Sequence, residues 1–189
     1  MCVHGPRLEP SDYTRWYSTN VTDQGTVFEL GSIVYGQAKE LLIPMPPDVL
    51  RACAFSLTYD TLQEKQKLIK FNIDRHPQQE DFQHIAQQRF RLRSVHCVRS
   101  LFEAMRQKLK TPTLPSDPID NARNQLRALE EEMKHYPDQR DEFVKDLLAD
   151  LTGQVEEATS KDEWFKKWGV HFLPSLTRKL IRSSGKYRW

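Results

Sequence analysis

Residues 82–109 read FQHIAQQRFRLRSVHCVRSLFEAMRQKL, and here the apolar spacing turns from that of strands to that of a helix. Phe82, Ile85, Ala86, Phe90, Val98, Leu101, Phe102, Met105 and Leu109 recur at three and four, which predicts an amphipathic helix of about seven turns. The residues upstream keep a different period. GTVFELGSIVYGQ (25–37) is rich in β-branched and aromatic residues punctuated by Gly25, Gly31 and Gly36, and KELLIPM (39–45) follows, closed by Pro46 and Pro47. RACAFSLTY (51–59) places Ala52, Ala54, Ser56 and Thr58 on one face and Cys53, Phe55, Leu57 and Tyr59 on the other. KLIKFNI (67–73) alternates in the same way. Four short strands with turn signals between them predict a small antiparallel β-sheet or half-sandwich.

Downstream the helical period persists. TPTLPSDP (111–118) interrupts it with three prolines, and Pro118 suits the first turn of a new helix capped by Ser116 or Asp117. Ile119, Ala122, Leu126, Leu129 and Met133 mark that helix's apolar stripe. Pro137 ends it, Asp138 is placed to cap the next, and Phe143, Val144, Leu147, Leu148, Leu151 and Val155 form the following face. A short helix over KDEWFKKW (161–168) and another in LPSLTRKLIRSS (173–184) complete the pattern. The fold class is therefore α+β, a small antiparallel sheet or half-sandwich followed by a helical bundle. Its boundaries are a β-rich subdomain at 1–75, a helical bundle at 81–182 and a tail at 183–189.

With 38% hydrophobic and 29% charged residues, the 189-residue chain can bury a core, and no stretch approaches the roughly 18 apolar residues of a membrane span. MCVHGPRLEP lacks the apolar run of a secretory signal, which points to an intracellular, cytoplasmic protein with no membrane partner. Cys2, Cys53 and Cys97 are odd in number and far apart, which excludes a disulfide framework or a Cys-based zinc site. Net charge is +2, but residues 81–111 carry +5, 112–163 carry −8 and 164–189 carry +7. Blocks of opposite sign predict internal pairing, with the acidic helices around Glu130 and Asp146 facing the basic helix or the basic C-terminal segment.

No catalytic constellation stands out. His84 and His96 are twelve apart, and His4, His76, His135 and His171 lack the carboxylate-bearing i, i+4 spacing of a zinc helix. The run Glu130–Glu132 spreads around a helix instead of pairing. Adjacent helical residues point about 100° apart, so His96 and Cys97 cannot form a dyad through adjacency. GxSxG, GxGxxG and GxxxxGK[ST] strings are absent. The reading is a non-enzymatic chain with no catalytic residue, no metal ligand and no cofactor.

Two stretches offer binding chemistry. Arg89, Arg91, Arg93, Arg99, Arg106, Lys108 and Lys110 make the first long helix basic, and Arg91, Arg93 and Arg99 are its candidate phosphate contacts, the weaker reading beside internal pairing. WFKKWGVHFLP (164–174) gathers two Trp and two Phe, with Trp164, Trp168 and Phe172 recurring at four. Gly169 is placed to end that helix in a left-handed cap and Pro174 to open the next, which predicts rings docked into the core. The competing reading is an exposed aromatic surface that binds a partner through Trp164, Trp168, His171 and Phe172.

FELGSIVYGQAKELLIP, DLTGQVEEATS and WGVHFLPSLTR, in this order, resemble the extension that follows the von Willebrand A-type domain in eukaryotic proteins with a hedgehog/intein-like segment. The resemblance spans about residue 25 to residue 178, and its more specific pieces are LGSIVYGQ and WGVHFLPSL. It implies a small β part joined to a helical part, serving as a structural or protein-binding module of a larger intracellular protein. Implied partners are proteins, among them an A-type domain in the same chain. The alternatives are an accessory part of an autoprocessing or ubiquitin-ligase protein whose catalytic domain is absent, and a nucleic-acid binder through Arg89–Lys110. The A-type metal loop, Asp-x-Ser-x-Ser, does not occur, so no metal site carries over. Cys2, directly after Met1, resembles the residue that follows a self-excised segment.

Overall fold

A computed structural model describes residues 1–5, 7–8, 11, 14, 17–33, 39–72, 78–111, 117–138 and 140–182. The chain divides into two compact units, Met1–Phe82 and Gln83–Trp189. The expected tail at 183–189, the cap Ser116, and Gly36 with the rest of 34–38 lie outside the described residues.

The first unit is a five-stranded antiparallel sheet of β1 (Cys2–His4), β2 (Ser18–Thr22), β3 (Gly25–Glu29), β4 (Ala54–Tyr59) and β5 (Lys67–Phe71), in the order β2-β3-β1-β4-β5. The α+β class is thus the observed one. Gly25 starts β3 with φ at +137°, and an added Cβ there would overlap the Val3 carbonyl oxygen, so the β3–β1 approach requires glycine. Val3, Phe28, Cys53 and Phe55 form the buried cluster. Leu41, Ile43 and Met45 pack on it, but 39–45 is not the strand that its apolar run suggested. Pro44 within the run and Pro46 and Pro47 after it remove the N–H donors a ladder needs, so the stretch covers the sheet as irregular chain. A short helix, α1 (Pro47–Ala52), follows with Pro at its start.

In the second unit α2 (Gln79–Lys110) is the central element. Gln87, Gln88, Phe90, Arg91, Leu92, Ser94, Val95, Cys97 and Val98 are all buried, so its middle is enclosed except along the half-buried row of Arg89, Arg93 and His96. Phe82 and Ile85, expected on the apolar face, are exposed. The side of this first part that meets other helices is the one carrying Gln83 and Gln87, whose amides donate to Asp141 at 3.2 and 2.9 Å.

α3 (Asp117–Lys134) buries Ile119, Ala122, Leu126, Leu129 and Met133, the stripe its spacing announced. The cap of α4 (Glu142–Asp150) is Asp141 and not Asp138: its side chain accepts from the Val144 N–H at 3.2 Å. Asp138 instead accepts from the Arg140 N–H in the preceding turn.

α4 runs through a wide turn of π-helix (Leu151–Val155) into α5 (Glu156–Ser160). Lys161, in extended conformation, separates α5 from α6 (Asp162–Trp164), and a second wide turn (Phe165–Gly169) leads on into α7 (Val170–Arg182). Leu151, Val155, Ala158, Phe165, Leu173, Leu176 and Leu180 are the buried apolar residues of this segment that continue the bundle core.

Candidate protein-binding surface

The segment from Lys161 to Leu180 is set by one close approach. At Gly169 a Cβ would lie 2.7 Å from the Ala158 carbonyl oxygen and 3.2 Å from the Phe165 ring, so only glycine lets this turn lie against α5. Gly169 has no positive φ and the helix does not stop there, contrary to the cap expected from its position. Its Cβ-free surface is used for packing. Pro174 likewise opens no new helix: it lies inside α7, where the missing N–H leaves the Val170 carbonyl without its usual donor. Ser175 and Thr177 hydroxyls donate back to the His171 and Leu173 carbonyls at 2.9 and 2.8 Å just beyond it.

This register decides which rings are core. Phe165 is fully buried, 5.9 Å from the Phe102 ring, and Leu173 and Leu176 follow it inward. Trp164 is 40% exposed, His171 is exposed, and Trp168 and Phe172 are half-buried with ring centroids 5.3 Å apart. The rings expected in the core therefore lie one position off it. Trp164, Trp168, His171 and Phe172 form an outward stripe beside a core made by their neighbours.

The basic residues of α2 work mostly inside the unit. Arg91 is 2% exposed; its Nε donates to Gln88 Oε1 at 2.5 Å and a guanidinium N–H donates to the Leu180 carbonyl at 2.7 Å. That gives a carbonyl of α7 a buried cationic donor. Arg123 likewise donates to the Thr159 carbonyl of α5 at 2.7 Å. Arg89 and Arg93 both pair with Glu132, the former at 2.6 Å. Lys108 pairs with Asp162 at 2.9 Å and Lys179 with Asp150 at 3.4 Å. Opposite blocks do pair: the helix around Glu130 meets the basic helix through Glu132, the helix around Asp146 meets Lys179 through Asp150, and Asp162 adds a third contact. Arg99 alone of the three candidate phosphate contacts is exposed.

Glu130 sits otherwise. It lines a cavity of about 200 Å³ with Arg123, Arg127, Glu156, Thr159 and Ser160. Burial, and then the Glu156 carboxylate, push its carboxyl above the usual range. Cys97 is buried and its thiol is pushed up to about 11, chiefly by that burial, which suits a packing residue. Among the described residues no three His, Cys, Asp or Glu side chains converge as a metal-holding group, and no helix is long and apolar enough to cross a membrane.

No curated protein and no solved structure matches the chain. A family model does, over residues 141–181, from the cap of α4 through both wide turns to the end of α7. The segment carrying the aromatic stripe is therefore similar to the VWA / Hh protein intein-like family, a likeness that suggests a von Willebrand A-type context.

Proposed function

We propose that the chain is a non-enzymatic, protein-binding module of a cytoplasmic von Willebrand A-type protein, and that the stripe Trp164, Trp168, His171 and Phe172 is its docking surface. The observation that carries this reading is the division of rings on one helix. Phe165, Leu173 and Leu176 already fill the core side, so the two Trp rings are not needed to hold the helix down. Partly exposed aromatic rings with a polar edge are the side chains that anchor protein interfaces, because they bury much area at little entropic cost. The internal engagement of Arg91 and Arg93 turns those cations away from a phosphate role. The partner proposed is an A-type domain in the same chain.

The test is a titration of the chain with a separately produced A-type domain, repeated with Trp164→Ala/Trp168→Ala. The expected result is that binding is lost while unfolding free energy falls by no more than about 1 kcal/mol, as for side chains outside the core. Unaltered binding, or a loss of about 3 kcal/mol or more in stability, would place the rings in the fold and not at an interface.

A further inference from the structure

The sheet unit carries a polar constellation that the aromatic stripe does not involve. Cys2 and His4 are two apart on β1 and so share a face. Ser56 of β4 is the register partner of Cys2, and Lys70 of β5 is the register partner of Ser56. Cys2, Ser56 and Lys70 therefore form one row across three neighbouring strands, on the face opposite to buried Val3 and Phe55. Cys2 Sγ lies 3.8 Å from His4 Nδ1, and His4 Nε2 lies 2.7 Å from Ser56 Oγ. Ser56 is buried, while Cys2 and His4 are half-buried. His4 and Lys70 also line a groove of about 620 Å³ at the end of the sheet, walled by Phe55 and Phe71. Of the three thiols, Cys53 and Cys97 are buried and Cys2 is not.

We propose that Cys2 is a nucleophilic thiol with His4 as its base and Ser56 as the group that fixes the imidazole, and that it exchanges with disulfides bearing carboxylates, which Lys70 attracts. A nucleophile, a base within reach and a third group orienting the base are the parts such chemistry needs. When the Nε2 proton is donated to Ser56 Oγ, Nδ1 keeps its lone pair toward the thiol and accepts its proton. The Cys2 thiolate then attacks one sulfur of the incoming disulfide. A new S–S bond to Cys2 forms, the old S–S bond breaks, and the departing thiolate takes the proton from the imidazolium, so the disulfide is the only oxidant required. The Lys70 ammonium, in the same row, raises the local concentration of an anionic partner over a cationic one.

The experiment uses the full chain, with oxidised glutathione as the anionic probe and cystamine as the cationic one, read by intact mass and peptide mapping. The expected product is a mixed disulfide on Cys2 and not on Cys53 or Cys97. His4→Gln should slow its formation by about tenfold or more, the lower range of general-base effects. Lys70→Gln should slow the reaction with oxidised glutathione and leave that with cystamine unchanged. Alkylation of the unaltered chain by iodoacetamide needs no variant to fold: Cys2 should be labelled ahead of Cys53 and Cys97 and faster than the thiol of free glutathione under the same conditions. Modification spread over all three cysteines, or a Cys2 rate no faster than that of free glutathione and unchanged by His4→Gln, overturns the proposal. An equal response of both disulfides to Lys70→Gln overturns the carboxylate preference.

Discussion

The two wide turns of the helical unit each contain one glycine, and the surroundings of those glycines are opposite. Gly153 faces outward, and a Cβ there would meet nothing within 4 Å. Gly169 faces inward, with the Ala158 carbonyl oxygen 2.7 Å from where its Cβ would be. The first turn is held by the inward side chains Leu151 and Val155, both fully buried. The second is held by backbone approaching backbone, with Phe165 filling the space beside it. One local geometry thus has two causes, and only the second demands glycine.

Substitutions can separate them. Phe165→Ala should be the most damaging, costing about 3–5 kcal/mol, because it empties a fully enclosed aromatic site against Phe102. Gly169→Ala should cost about 1–3 kcal/mol, since α5 and the turn must part to admit the methyl. Gly153→Ala should do the reverse and stabilise by about 0.5–1 kcal/mol, because the site is open and alanine loses less backbone entropy in a helix. Urea unfolding of the three variants measures all of this. Equal costs at Gly153 and Gly169 would mean that the wide turn itself, and not the contact with Ala158, requires glycine.

The same contrast between local pattern and tertiary contact governs what was legible in the sequence. The long helix and the stripe of α3 follow from spacing, because each buries apolar residues at three and four. The near-enclosure of α2 does not, since only the narrow row of Arg89, Arg93 and His96 is left as a polar face, and Arg91 reads as surface until the Leu180 carbonyl is seen beside it. β1 is three residues long, too short to display alternation, and β2 (STNVT) is mostly polar and exposed throughout, so neither announces itself. The Cys2–His4 pairing on one face would have been found by reading β1 as a strand. The aromatic box misleads by one position because Gly169 invites a helix end, and only Ala158 explains why the helix runs on.

The smallest expected effect lies where α3 meets the residue that follows the first wide turn. Glu156 begins α5, and its carboxylate is the second cause, after burial, of the raised Glu130 carboxyl. A carboxyl whose value is higher in the folded chain binds its proton more tightly there than in the unfolded chain. Stability therefore falls as pH rises from the unfolded value, about 4.3, through the raised folded one, and the penalty persists in full above it. Glu130→Gln removes that penalty, so it should melt at the same temperature or slightly higher at neutral pH, with the difference vanishing in acid. Glu156→Gln removes only the like-charge part and should gain less, because the desolvation of Glu130 remains. Melting curves across the carboxylate range decide it. If Glu130→Gln melts lower at neutral pH than in acid relative to the unaltered chain, the cations Lys134 and Arg127 outweigh both burial and Glu156, and the helix pair is held by attraction at this point.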